Sequence, residues 1–427
     1  MIHTKKICKF LKKYIKSCIF VFQFTIYSFY VYIAKLKIRK LISVGDKVRI
    51  AFVGYASAPS VDALSDVCNV FEKDNRFECF AVIIPYTHDQ KESMIAKYKI
   101  AYDYATSRCS NVLNGYNIEL DRCVDYKNQF DIVFFEIEYD WIRPEFKTEN
   151  FKKSITYFIP YGPFLANNME YHFSHKMLSL VHKIFPAAKN EIPMLKKYSN
   201  VFGINVCEQY LGYPKNDKFF KNNIIEDVWK KAKNGQKRII WAPHHTWDNY
   251  SNFLMYYDFF LDYIQTNNDI HIVFKPHPAL RDSLVKVNLW SEDQVESYYD
   301  KWKEAEHGDL FEGDWYNLFL GSDAMIMDSI SFMMEYSMTS KPSCVLYREN
   351  KDGKREVSFN ECGEILYDHL YHAKNRSEIV NFMSMIKDNK DVLRTFRNEY
   401  VKNTFIPSNN EFASDNIYQY ILEELHI

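Results

Sequence analysis

Short apolar runs punctuate the chain, and the stretches between them have helical spacing. "KVRIAFVGY" (47–55) reads as a buried strand, followed by a helix over Ser60–Lys73 with Ser60 as its N-cap. "CFAVIIP" (79–85), "FDIVFFEIEY" (130–139) and "SITYFIPYG" (154–162) read as further strands, and "NVFGINV" (200–206) as a candidate for one more. "QYLGYPKNDKFF" (209–220) breaks the pattern, and a polar stretch expected to be mostly helical follows. A second series then begins with "RIIWAP" (238–243), "DIHIVFKPHP" (269–278), "DLFEG" (309–313), "SDAMIMD" (322–328) and "KPSCVLY" (341–347). "EFASDNIYQYILEEL" (411–425) has helical spacing and is expected to cross back onto the first domain. Buried strands alternating with helices predict α/β domains with parallel sheets covered on both faces. The expected division is a first domain over 46–220, a second over 221–410 and a returning helix over 411–427.

Residues 1–45 stand apart. They carry ten Lys or Arg and no acid, so a formal net charge of −1 leaves −11 on the remaining 382 residues. Between the basic clusters lies "SCIFVFQFTIYSFYVYIA" (17–34), eighteen residues without a charge, seven of them Phe or Tyr. No proline precedes Pro59, so one helix can run through the arm. "YIAKLKIRK" lacks the small-residue cleavage site of a secretory signal. The length sits at the lower bound for a membrane span, yet both flanks are Lys-rich and prefer the cytoplasmic side. The pattern therefore predicts a monotopic or peripheral attachment through residues 1–45 at the cytoplasmic face, on anionic lipid. The alternative is a helix covering the first domain.

An acidic body excludes a nucleic-acid partner that needs a basic face. Glycine is scarce, at 12 residues, and neither GxGxxG nor GxxxxGK[ST] occurs, so the usual dinucleotide and P-loop fingerprints are absent. A bound phosphate would have to be held by helix N-termini and side chains. Nine cysteines without a CxxC pair argue against a zinc knuckle and fit free thiols in a reducing compartment.

Chemistry-bearing residues gather where the strands of the second series end. "RIIWAP" delivers His244, His245 and Thr246; "IHIVFKP" delivers Lys275, His277 and, further on, Arg281; "AMIM" delivers Asp328, Ser329 and Ser331 at the start of a helix that carries Glu335. Each has an ordinary structural reading: "KPHP" as a turn, "DSIS" as a helix cap, "HH" as polar turn residues. A metal centre is not expected, since no HExxH occurs and adjacent turn residues seldom face one ion. Three polar strand ends in one domain nevertheless make a site. Imidazoles, a lysine and hydroxyls at a helix N-terminus suit a pyrophosphate.

"GYPKND" (212–217), "WAPHHTW" (241–247), "KPHP" (275–278), "SDAMIMDSISFMMEY" (322–336) and "KPSCVLY" (341–347), in that order, resemble the CDP-glycerol glycerophosphotransferase family of teichoic acid and capsule synthesis. The resemblance implies a GT-B fold, two Rossmann-like domains facing across a cleft, preceded here by the basic, aromatic N-terminal helix. It implies CDP-glycerol or a related activated donor in the second domain, a lipid-linked or polymer acceptor, release of CMP, no Rossmann-type cofactor, and attachment to the membrane periphery. His277 matches the family histidine thought to act at the phosphate. Asp328 and Ser331 match its D-x-S-S element near the donor pyrophosphate, with Ile330 replacing the first serine of the pair, and Glu335 matches an acidic residue one turn on. In the first domain the family places a histidine before Gly-Thr-Pro as acceptor base; here Tyr161 precedes Gly162. Tyr161, Gly162 and Asp217 are thus the acceptor-side candidates. The strand-end motif that often carries an arginine has "HHTWDN" instead, which makes this a divergent member.

The expected mechanism is phosphoryl transfer stabilised mainly by electrostatics. Thr246, Lys275, Asp328, Ser329, Ser331 and Glu335 are the expected donor-binding residues, and His277 donates to a phosphate oxygen. His244 or His245 shares that task or removes the acceptor proton, as an imidazole titrating near 6.5 suits a general base. Two rivals remain on sequence alone: a GT-B glycosyltransferase using a sugar nucleotide, and a non-catalytic member of a capsule assembly complex.

Overall fold

The structure is a computed structural model that describes residues 27–55, 58–85, 91–137, 143–168, 178, 180–220, 226–245 and 252–427. The chain forms two compact units: residues 1–163, 168–220 and 407–427 make the first, and residues 164–167 and 221–406 the second. The four-residue strip Phe164–Asn167 belongs to the second unit, where the N–H of Asn167 donates to the carbonyl of Ser358 at 3.1 Å.

The first unit is built on β1 (Val48–Tyr55), β2 (Phe77–Ile84), β3 (Val112–Asn114), β6 (Ile132–Phe135), β7 (Ile155–Phe158) and β8 (Lys183–Ile184), in the order β3-β2-β1-β6-β7-β8, all parallel. A two-stranded antiparallel ribbon, β4 (Tyr116–Asn117) and β5 (Arg122–Cys123), interrupts the crossover from β3 to β6. β6 and β7 are buried along their whole length, as expected of strands with a layer on each face.

Three local expectations are corrected. The helix after β1 spans Ala58–Glu72, so Ser60 lies inside its first turn and is not its cap. Residues 200–206 are not a strand: the helix Glu191–Phe202 runs into them, and only Val206 forms an isolated bridge to Ile184. Residues 226–236 are turns and irregular chain, where a polar helix was expected.

Two helices close over the first sheet. The C-terminal helix Ala413–Leu425 packs on the helix Ala58–Glu72. Its start is capped by Asp217, whose carboxylate accepts from the N–H of Ala413 at 2.7 Å and of Ser414 at 2.9 Å. Gly212 enters this junction at φ +92°, and a Cβ there would sit 2.7 Å from Pro407 and 2.8 Å from Ala413, so only glycine fits. The second helix covers residues 27–43. Tyr27, Val31, Ala34 and Ile38, spaced at helical intervals, are buried, and the Tyr27 hydroxyl meets Thr156 Oγ1 at 2.6 Å. Lys37 pairs with Asp131 at 2.6 Å, Lys35 with Glu424 at 3.4 Å, and Arg39 donates to the Leu425 carbonyl. One face of the arm therefore does cover the first unit. Its other face exposes Phe29, Tyr30, Tyr32, Ile33 and Leu36. No helix among the described residues is long and apolar enough to cross a membrane.

The second unit repeats the same strand order with β9 (Lys237–Ala242), β10 (Ile270–Phe274), β11 (Gly308–Leu310), β12 (Ala324–Met327), β13 (Ser343–Leu346) and β14 (Tyr371–Ala373), arranged β11-β10-β9-β12-β13-β14 and parallel throughout. Its core is aromatic. The Trp241 ring on β9 is fully buried against Phe260 at 4.5 Å, Phe274 at 5.0 Å, Trp302 at 5.8 Å and Phe253 at 5.9 Å between centroids. Truncating such a ring costs about 3–5 kcal/mol, so the strand that leads to His244 is firmly held. Two Rossmann-like units in one chain are the GT-B plan expected from the sequence.

Candidate active site

In a sheet ordered 3-2-1-4-5-6, ligands bind beyond the strand carboxyl ends where the order reverses. In the second unit that point lies between β9 and β12. β9 ends at Ala242, and Pro243 releases the chain into His244 and His245. β10 ends at Phe274 and continues through Lys275 to His277. β12 ends at Met327, and Asp328 and Ser329 lead into the helix Ile330–Ser337. Backbone bonds register the first two tips: Lys275 N–H donates to the Trp241 carbonyl at 2.8 Å, and His277 N–H to that of Pro243 at 3.2 Å.

The three imidazoles form one cluster. Ring centroids are 4.6 Å apart for His244 and His245, 5.0 Å for His244 and His277, and 4.2 Å for His245 and His277. One ring nitrogen from each lies within 4.8 Å of the others, a spacing over which a cation could be shared. The hydrogen bonding points elsewhere. Nδ1 of His277 accepts the N–H of Ala279 at 3.1 Å, so the neutral ring carries its proton on Nε2. A metal on Nε2 would need the other tautomer, whose Nδ1–H would confront the Ala279 N–H. In this tautomer His277 can donate through Nε2. His245 Nδ1 lies 3.4 Å from the Ser283 hydroxyl.

Burial and the neighbouring His245 hold His244 down to about 3, so this ring stays neutral at physiological pH. That corrects the expectation of an ordinary imidazole: a group so weakly basic is a poor proton acceptor, and of the adjacent pair His245 remains the candidate base.

Lys275 is 7% exposed and forms no ion pair among the described residues; its Nζ lies 5.8 Å from the Phe311 ring centroid. Burial lowers its pKa to about 8, against the opposing fields of Asp314, Glu312 and Glu335. Lys341, half-buried and also lowered to about 8, differs in kind: its ammonium donates to the carbonyls of Phe319, Leu320 and Ser322. A buried ammonium without such partners is costly, and an anionic ligand would complete it. Glu335 is 2% exposed on the helix Ile330–Ser337 and acts on Lys275 through its field. Ser329 is the N-cap of that helix and its hydroxyl makes no capping bond, while Ser331 stands half-buried in the first turn.

Asp328, Asp217 and, beyond the strand end, Arg281 are each engaged within the fold. The Asp328 carboxylate accepts the backbone N–H of His244 at 2.6 Å on one oxygen and that of Asn252 on the other. Asp217 is likewise absorbed, 1% exposed under the helix it caps. Arg281 is held by Glu296 and Glu312 over the Tyr299 ring. Thr246 lies outside the described residues. Tyr161 and Gly162 are in the first unit; the N–H of Tyr161 donates to the Glu136 carbonyl at 3.1 Å. The Glu136 side chain is buried just past β6, where that sheet's order also reverses. Sequence reasoning passed over Glu136 and Asn252. Asn252 had a signal, an N-cap residue directly before the apolar helix Phe253–Thr266.

The fold is shared with solved structures at low identity. The chain is similar to S. aureus MnaA in its co-structure with UDP (TM-score 0.56, 14% identity, covering 89% of this chain and 97% of that one). It is similar to the UDP-GlcNAc 2-epimerase of Neisseria meningitidis bound to UDP-GlcNAc (0.53, 13%, 88% and 100%). It is also similar to the wall teichoic acid polymerase TagF (0.52, 13%, 96% and 97%). No curated protein matches the chain. The sequence pattern of the CDP-Glycerol:Poly(glycerophosphate) glycerophosphotransferase family matches residues 187–423, more than half of the chain, and takes in every strand tip of the histidine site. The chain thus belongs to the CDP-glycerol:poly(glycerophosphate) glycerophosphotransferase family and is a transferase of that kind.

Proposed function

We propose that the protein moves glycerol phosphate, or a related alditol phosphate, from a CDP-activated donor to a hydroxyl of a lipid-linked or polymeric cell-surface acceptor, working at the cytoplasmic face of the membrane. The observation that carries this reading is the cluster of three imidazoles at the strand tips of the second sheet, with a buried lysine, unpaired among the described residues, two positions before His277. Such a site is prepared for two adjacent negative groups in a partly dehydrated setting, where fixed donors stabilise developing charge best.

In the proposed step the acceptor oxygen attacks the glycerol-bearing phosphorus. The bond from that phosphorus to the bridging oxygen breaks, and CMP leaves with the electron pair. The acceptor's proton passes to a base, for which His245 is the candidate in this unit. Nε2–H of His277 and the Lys275 ammonium offset charge on the phosphate oxygens. Serine hydroxyls and the N–H groups of the helix Ile330–Ser337 hold the diphosphate.

The test is nucleotide release by the full-length protein supplied with a membrane fraction and, separately, CDP-glycerol, CDP-ribitol, or UDP- and GDP-sugars. CMP appearing only with a CDP-alditol supports the reading. UDP or GDP release replaces it with sugar transfer. Donor binding with no release on any acceptor makes the protein a non-catalytic partner.

A further inference from the structure

The aspartate at the tip of β12 shares its two oxygens between two separate points of the chain. Oδ1 takes the His244 N–H at 2.6 Å; Oδ2 takes the Asn252 N–H and, at 3.3 Å, the Asn252 Nδ2. Asn252 Nδ2 also donates to the Leu346 carbonyl at 3.2 Å, at the tip of β13. Asp328 is 7% exposed and Asn252 2%. One carboxylate thus fixes the chain on both sides of residues 245–251 to the far half of the sheet. A carboxylate suits the task because it accepts on both oxygens, whereas an amide would turn a donor toward one of the two N–H groups.

From this geometry we infer that Asp328 is a positioning residue: it sets the His244–His245 pair against His277 from across the β9–β12 crevice and does not touch the donor. The inference rests on the diphosphate reading for its kinetic consequence. A displacement of about 1 Å in a catalytic group can cost on the order of 100-fold in rate.

Asp328→Asn, Asp328→Ala and Asn252→Ala are compared with the wild-type chain by thermal melting, calorimetric titration with CDP-glycerol, turnover per folded molecule, and hydrogen exchange at the His244 and Asn252 amides. In Asp328→Asn, kcat is expected to fall about 10- to 100-fold while the Kd for CDP-glycerol stays within about threefold. One of the two amides exchanges at least tenfold faster, with β9 itself still protected. Asn252→Ala, which keeps both backbone bonds, gives a smaller loss. A Kd weakened as much as by Lys275→Met would make Asp328 a donor ligand and overturn the inference. A lower melting point with unchanged kcat per folded molecule would reduce it to a structural role, and unchanged exchange at both amides would remove the clasp. The exchange measurement needs no donor, so failure of wild-type turnover refutes the function without touching the clasp.

Discussion

The backbone N–H of Ala279 points at Nδ1 of His277 from 3.1 Å and so dictates which nitrogen of the ring carries the proton. The neutral ring then carries its N–H on Nε2, the edge to which the proposed function gives the phosphate contact. A glutamine amide places an N–H close to that position, whereas asparagine mimics Nδ1. His277→Ala is expected to lose on the order of 100-fold or more in kcat. His277→Gln should retain clearly more activity than His277→Asn, as steady-state CMP release measures. Equal losses in all three would deny the ring a donor role.

The same tautomer bears on metals. A divalent ion shared by His244, His245 and His277 would have to displace the Ala279 contact. Dialysis against a strong chelator should leave turnover unchanged, and micromolar zinc should not raise it. Loss of activity restored by one metal would show that the imidazole cluster rearranges around an ion.

Lys275 gives a prediction of opposite sign for stability and for binding. Its folded pKa of about 8 lies below the unfolded value near 10.4, so the fold prefers the neutral amine. For a base with a lowered pKa, the associated stability is present above the unfolded pKa and is lost as pH falls through the folded one. Lys275→Met should melt at an equal or higher temperature than wild type near neutral pH, and stability should no longer rise between about pH 8 and 10 on this residue's account. The same variant should bind CDP-glycerol roughly 10-fold or more weakly, since it loses a buried charge-assisted partner. Undiminished affinity would remove the ammonium from the site.

The two aspartates show what a sequence can and cannot tell. The strands were legible because buried runs such as "RIIWAP" and "IHIVF" have few alternatives, and the polar residues after them marked the sheet edge. "GYPKND" and "MDSIS" were read as binding motifs, yet Asp217 and Asp328 are both spent on backbone N–H groups. An aspartate that binds a ligand and one that holds backbone N–H groups look alike in one dimension, because the donors satisfying them lie 196 and 84 residues away in Asp217–Ala413 and Asp328–His244. The lowered His244 pKa was hidden for the same reason: burial is a property of the packed tip. Ser60 was misplaced by the ordinary uncertainty of a helix boundary.

The arm makes a separable prediction about membranes. Its inner face is engaged with the first unit, and Lys35, Lys37 and Arg39 bond to it, so deleting residues 1–40 would damage the fold as well as any anchor. The cleaner test alters only the outer face. Replacing Phe29, Tyr32, Ile33 and Leu36 with serine should leave the melting temperature within a few degrees but reduce sedimentation with vesicles containing anionic lipid. Aromatic and aliphatic side chains supply the apolar half of an interfacial anchor, and nearby basic residues the other half, at about 1 kcal/mol each. Full sedimentation of this variant, and of one lacking residues 1–26, would rule out attachment through the arm.

Glu424 offers the sharpest pH prediction, because three elements converge on it. It accepts from the Tyr157 hydroxyl at 2.8 Å, meets His182 Nε2 at 2.7 Å and pairs with Lys35 at 3.4 Å. Burial would raise its pKa, but the bonds from His182 and Tyr157 and the charges of His182 and Lys35 outweigh it and hold the carboxyl at about 2. A carboxylate with a depressed folded pKa contributes stability above its unfolded pKa, near 4.3, and loses it as pH falls toward the folded value. The contribution is on the order of 3 kcal/mol at neutral pH, by the linkage of about 1.4 kcal/mol per pKa unit. Asp217 pulls the other way: burial outweighs its bonds from Ser414 and Ala413 and raises it to about 6. Its stabilisation is therefore present below pH 4 and fades as pH rises past 6. The wild-type curve alone mixes the two, so the informative quantity is the difference from Glu424→Gln, which keeps the shape and removes the charge. That difference in denaturation free energy should be largest near pH 6 and shrink steadily from pH 5 to pH 2.5. A difference that stays constant over this range would mean that the charge of Glu424 does not help to dock the arm and the C-terminal helix.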